Sequence, residues 1–231
     1  MKQIWAVTGM IAGALALSAV LVAGHDKMSG ASQTTAVGLP WQIESLPSGQ
    51  VRALGVTLGP GGSTLADAQK LWGPNLEIAI IAAPGETGAL EAFVDPAQAG
   101  FISGKLVLTL AAPVATVQGM RERALKSEFM ESTTRKYTLT PADRQAAAAF
   151  AVSAMAFIPQ ANLDAAMVIE RFGQPEQRRQ VGQGAEAAEH LLYPSKGLDL
   201  TLNAKGKDVL QYVAPGDFDR LSAPLKAASQ P

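Results

Sequence analysis

The chain has 231 residues, 48% of them hydrophobic, and a formal net charge of −1 at pH 7. That is enough apolar material for a sizeable core, and the near-neutral balance excludes a general attraction to nucleic acid or other polyanions. The absence of cysteine excludes disulfides, thiolate metal sites, cysteine nucleophiles and a lipidated N-terminal cysteine.

The first element is the uncharged run IWAVTGMIAGALALSAVLVAG, Ile4 to Gly24, preceded by Lys2 and followed by Asp26. As a helix rising about 1.5 Å per residue it covers a bilayer core of about 30 Å, whereas the apolar part of a cleaved signal peptide is shorter. The expectation is an uncleaved transmembrane signal anchor over 1–24, with cleavage after Gly24 as the competing reading. Both readings export the rest of the chain, and the anchor reading places the protein in the inner membrane, single-pass, with its folded part in the periplasm. Within the run, Gly9 and Gly13 have the GxxxG spacing of packed membrane helices, although small residues are frequent in such helices in any case.

Residues 25–38 are small and polar, without periodicity, and read as a linker. The folded part begins near LPWQIE. Two later segments share one pattern at an offset of one hundred positions. Leu65, Ala68, Gln69 and Trp72 sit at helical spacing and end at Gly73-Pro74; Ala165, Val168, Ile169 and Phe172 do the same and end at Gly173-Gln174-Pro175. Ser63 or Thr64 with Asp67, and Asn162, are candidate caps. After each stop comes a strand, ALEAFVDP in one case and EHLLYP in the other, then a second strand, LVLTL or LDLTL.

Between the copies, MRERALKSEFMESTTRKYTL, Met120 to Leu139, places Val117, Met120, Ala124, Leu125 and Phe129 on one helical face and charges on the other, which predicts a solvated connecting helix. Thr140, Pro141 and Asp143 open a further helix, and AVSAMAFIP reads as a buried strand or the end of that helix, with a strand favoured for its second half. RLSAPLKAASQP, with two prolines, reads as a loose tail. The predicted organisation is α+β: membrane helix 1–24, linker 25–38, a first unit 39–139 that includes the charged helix, a second unit 140–218 and a tail 219–231, each unit a helix packed on a small antiparallel sheet.

The stretches RFGQP, EHLLYP and NAKGKDVLQYV, and with them WGPN and ALEAFVDP, resemble the BamE/SmpA module of bacterial envelopes. A tandem of such modules resembles the architecture of β-lactamase inhibitor protein. The resemblance implies an interaction module and carries over no functional residue. The chain departs from the BamE pattern in lacking a lipidated cysteine.

Motifs that carry chemistry are scarce. The histidines are His25, in the linker, and His190, in a strand where neighbouring Glu189 points to the opposite face, so they form no HExxH or ligand pair. GPGGST, Gly59 to Thr64, lacks the lysine of a phosphate loop and reads as a tight turn before a helix cap, and GFISG, Gly100 to Gly104, has its serine one place off a nucleophile elbow. Glu77, Glu91, Asp95 and Asp199 are scattered over strands. No catalytic, cofactor-binding or metal residue is nominated, and no cofactor. The function expected is a membrane-tethered periplasmic interaction or assembly module without catalytic activity, whose partner is another envelope or inner-membrane protein. The alternative is a carrier or sensor of a small apolar ligand held near Met155, Met167 and Phe172, and a third reading is an enzyme.

Overall fold

The computed structural model of the chain describes residues 43–228, apart from 101, 131 and 132. In chain order its strands and α-helices are β1 (Glu44–Ser45), β2 (Val51–Ala53), β3 (Val56–Leu58), α1 (Leu65–Trp72), β4 (Glu77–Ala82), β5 (Ala89–Ala99), β6 (Ile102–Leu110), α2 (Val114–Glu122), β7 (Lys126–Phe129), β8 (Arg135–Thr138), α3 (Pro141–Ala147), β9 (Val152–Pro159), α4 (Ala165–Phe172), β10 (Gln177–Val181), β11 (Ala188–Tyr193), β12 (Leu198–Asn203), β13 (Val209–Val213) and α5 (Asp219–Ala228).

This corrects the α+β expectation. The described chain is mostly β: ten strands form one sheet in the order β10-β11-β12-β13-β9-β6-β5-β4-β8-β7, β1 to β3 form a second, and the helices are short. The two separate small sheets that were expected are not formed. Nor is any helix among the described residues long and apolar enough to cross a membrane. The expected transmembrane segment 4–24 and linker 25–38 lie outside the described residues.

The chain divides into two compact units with interleaved segments. The first comprises Ser63–Val94 and Val107–Val152. Its α1 starts with a capping box, in which the Asp67 N–H donates to Thr64 Oγ1 at 3.3 Å and the Thr64 N–H to Asp67 Oδ2 at 3.0 Å. Leu65 and Ala68 are buried, while Trp72 is only half-buried. The run Ile78 to Ala82 in β4 is buried on both faces, as an interior strand requires.

The charged segment expected as one helix is not one. Helix α2 ends at Glu122, and β7 and β8 pair antiparallel with Ser127 opposite Tyr137 and Phe129 opposite Arg135. β8 in turn lies along β4, with Ile80 opposite Tyr137. Ladder bonds to β4 and the burial of Tyr137, with Arg121 of α2 5.0 Å over its ring, outweigh the weak helical preference of a charged surface segment.

Helix α3 begins as expected at Thr140, whose Oγ1 accepts the Asp143 N–H at 3.1 Å. The Arg123 guanidinium grips both Asp143 oxygens at 2.6 to 3.2 Å, which holds that buried carboxyl below the ordinary carboxylate range. Thr140→Ala removes the cap and one of the aspartate's donors. It is expected to cost about 0.5 to 2 kcal/mol, read as a lower urea midpoint; an unchanged midpoint would show the cap to be redundant.

The second unit comprises residues 43–62, Asp95–Leu106 and 153–228. The registers of β9 to β13 place Met155, Phe157, Leu210, Tyr212, Leu200, Leu198, Leu191 and Tyr193 on one face of the sheet, and all are buried. Val168 and Phe172 of α4 are buried on this side, Phe172 with its ring centroid 6.1 Å from that of Tyr193. On the opposite face Leu192 and Val213 form a core cluster with Phe218, Leu221 and Leu225. That cluster explains why the expected tail is instead helix α5: Leu221 and Leu225 are four apart and both buried, and this burial outweighs the interior Pro224.

Candidate interaction site at the edge of the sheet

In the second unit the chain leaves α4 at Gly173, whose φ of 83° and ψ of −177° are open to glycine and strained for other residues. Gly73, one hundred positions earlier, has nearly the same backbone, φ 89° and ψ 165°. The order helix, strand, strand, strand also recurs, as α1-β4-β5-β6 and α4-β10-β11-β12. The end of α4 is fastened to the β11–β12 turn. The Tyr193 hydroxyl donates to the Gly173 carbonyl at 3.0 Å, and the Lys196 ammonium donates to the Phe172 carbonyl and lies 5.6 Å over the Tyr193 ring. These bonds satisfy carbonyls that a helix end leaves open and place a cation where the helix dipole favours one. Glu176 accepts from the Ser195 amide at 3.0 Å and from its hydroxyl at 2.5 Å. The strand that follows is thereby aimed along β11.

That strand, β10, reads QRRQV and pairs antiparallel with β11 from Gln177 opposite Leu192 to Val181 opposite Ala188. It is the first strand of the sheet, and its outer side has no strand beside it among the described residues. Its counterpart β4 is paired on its outer side by β8, from Ala79 opposite Thr138 to Ala82 opposite Arg135. The compositions match these positions. EIAIIA suits an interior strand, and QRRQV, with Gln177, Arg178 and Gln180 exposed, suits an edge that meets water. Arg178 pairs with Glu189 at 3.1 Å, whereas Arg179, opposite His190, has no ion-pair partner among the described residues. The edge offers a row of backbone donors and acceptors about 16 Å long beside one uncompensated positive charge.

The sequence motifs weighed for chemistry fall elsewhere. His190 does have partners: its Nδ1 lies 3.0 and 3.1 Å from the two oxygens of Asp199 and 3.2 Å from Thr201 Oγ1. No hydroxyl is hydrogen-bonded to the other ring nitrogen among the described residues, so the pair is not joined to a serine or threonine nucleophile there. The only cue to it in the sequence is the turn at Pro194 to Gly197, which folds β12 back on β11 and sets Thr201 opposite His190.

The other carboxylates do not converge. Glu77 pairs with Lys136, Asp95 with Lys105 at 3.5 Å, and Glu91 is buried with Oε2 unpartnered. In GPGGST the helix start is occupied by the chain's own Asp67, and Ser103 of GFISG exchanges hydrogen bonds with Gln98. No group of three or more metal-ligating side chains occurs among the described residues.

An apolar cavity beside α4 is lined by Phe157, Met167, Phe172, Leu210 and Tyr212, with Arg171 also at its wall, and Met155 does not line it. Its room for the centre of a water molecule is about 30 Å³, far below the roughly 300 Å³ of a small-molecule pocket. The chain matches no protein-family model, and no curated protein or solved structure matches it either.

Proposed function

We propose that the protein is an exported interaction module of the cell envelope that takes an extended, acidic segment of another envelope protein onto β10. The observation that carries this reading is the contrast between β10 and β4. The two strands hold the same place in recurring runs of elements, and the outer edge of β4 is filled by β8 from the same chain while that of β10 is open. Strand addition supplies the same backbone bonds from a partner, and alternate side chains give selectivity. Arg179 selects for acidic residues opposite it. The apolar run Ile4 to Gly24 in the sequence supports export.

The test uses two fluorescent six-residue peptides of alternating threonine or valine, one with glutamates and one with lysines at the polar positions, and fluorescence anisotropy with the full chain. The glutamate peptide is expected to bind and to weaken as salt rises. Arg179→Glu is expected to reduce its affinity about tenfold or more by setting like charges together. Equal binding of the two peptides, or indifference to Arg179→Glu, would contradict the reading.

A further inference from the structure

A strand laid along the outer side of β10 meets two different rows of side chains. The unbroken register with β11, from Gln177 opposite Leu192 to Val181 opposite Ala188, sends Gln177, Arg179 and Val181 to one face of the sheet and Arg178 and Gln180 to the other. Leu192 is on the first face, where it packs with Phe218, Leu221 and Leu225. Val181 is half-buried and packs against that same cluster. It is also the last residue of β10: Gly182 follows at φ 74°, with no room for a side chain against the Glu186 carbonyl, and turns the chain off the edge. The first face therefore carries, in order along β10, a polar amide, a cation without an ion-pair partner among the described residues, and an apolar side chain backed by core. The second face selects less, because Arg178 is held by Glu189 at 3.1 Å and Gln180 is exposed.

We propose that β10 selects a directional pattern in its partner: an apolar residue, an acidic residue two positions later and an uncharged polar residue two positions after that, in a segment running antiparallel to β10. The pattern rests on the strand-addition reading of β10 and adds to it a direction and an apolar anchor. Opposed positions of an antiparallel pair run in opposite chain order, so the partner residue facing Val181 comes first, the one facing Arg179 third and the one facing Gln177 fifth. Directly opposed side chains on one face have Cβ atoms about 4.5 to 5.5 Å apart and interact. An apolar side chain facing Val181 extends the cluster under α5 at the margin where Val181 is still partly open to water. A carboxylate facing Arg179 supplies the charge that this guanidinium lacks, and a polar side chain suits the exposed Gln177 amide.

The antiparallel direction follows from the sheet itself. From β10 through β11, β12 and β13 to β9 every neighbour pairs antiparallel, and that ladder is the more stable one per residue. A parallel partner would need the same three residues in reverse order. Chain direction in the partner therefore becomes measurable as a preference between a sequence and its reverse. Backbone bonds along the edge supply the affinity, and the alternate side chains facing Val181 and Arg179 supply the selectivity.

The test uses two peptides of one composition, blocked at both ends and carrying the same dye. One has the order leucine, threonine, glutamate, threonine, glutamine, and the other is its reverse, so length, net charge and hydrophobicity are equal and glutamate is central in both. In anisotropy titrations with the full chain, the leucine-first peptide is expected to bind about fivefold more tightly. Val181→Thr keeps the side-chain shape and removes the apolar contact; it is expected to bring the leucine-first peptide down to the level of the leucine-last one, whose own affinity stays where it was. Gln177→Leu, at an exposed position, is expected to raise binding of the leucine-last peptide about threefold, a gain that misfolding cannot produce. Arg179→Glu is expected to weaken both orders alike. Equal affinities for the two orders in the original chain, tighter binding of the leucine-last peptide, equal losses of both orders in Val181→Thr, or no gain from Gln177→Leu would overturn the pattern while leaving strand addition standing. Failure of the original chain to bind either peptide would overturn both.

Discussion

Replacing Glu91 by Gln is expected to stabilise the folded chain by roughly 5 kcal/mol above pH 8 and by almost nothing at pH 4. Glu91 lies on β5 in the first unit, opposite Ala79 of β4. It is 4% exposed and its Oε2 has no hydrogen-bond partner. Burial disfavours the carboxylate and pushes the carboxyl from 4.5 up to about 8. The sign follows from proton linkage. In the unfolded chain the group gives up its proton near pH 4.5, whereas in the folded chain it keeps it until about pH 8, so its contribution is fully favourable below 4.5 and is lost as pH rises through 8. Each pH unit of that window is worth about 1.4 kcal/mol, which gives the roughly 5 kcal/mol. Gln keeps the shape and polarity of the protonated acid and removes only the titration. Urea midpoints at pH 4, 6, 8 and 9 should converge at the acid end and diverge progressively above it. Parallel curves would show that the carboxylate has solvent or a cation at hand.

Phe172→Ala is expected to cost about 3 to 5 kcal/mol, from lost burial and the cavity left behind. Phe172 is 6% exposed, stands against Tyr193 and already lines a small void with Phe157, Leu210 and Tyr212. The same truncation at Trp72 should cost clearly less despite the larger side chain, because Trp72 is half-buried at the end of α1. Thermal melts of the two variants would check the ranking, and an equal loss at both positions would mean that the aromatic closing α1 is anchored as firmly as the one closing α4.

These two positions also show what could be read from residue order. Helices α1 and α4 were legible because helical spacing, a capping group and a Gly/Pro stop coincide in each. For α4 the expected cap Asn162 proved to be Asp164, which accepts from the Ala166 and Met167 amides. The pairing of β7 with β8 was not legible. Four residues are too few for a period-two signal to stand out, and Leu125, just before the strand, and Phe129 are four apart and fit a helical stripe. Helix α5 was hidden by Pro224, since its stability comes from Phe218, Leu221 and Leu225 meeting a sheet face assembled from distant strands. That ten of the strands share one sheet while β1 to β3 form another was not legible either, because local pattern does not reveal where a strand's neighbours stop.

The candidate site was partly legible. QRRQV is too polar for an interior strand and EIAIIA too apolar for an edge, so the contrast was present in the sequence. That β10 has nothing on its outer side is a property of the whole sheet. Likewise His190 and Asp199 meet only because a turn sets Thr201 opposite His190, leaving Asp199 diagonal to it. For Glu91 the residue type alone gave no sign of burial.

Amide hydrogen exchange across Gln177 to Val181, with and without the glutamate peptide, tests the open edge most directly. In the free chain, alternate amides of β10 are expected to exchange quickly, because they face outward, while those bonded to β11 exchange slowly. Adding the peptide is expected to slow the fast set and leave β7 unchanged. Slow exchange throughout β10 in the free chain, or fast amides that ignore the peptide, would contradict the account.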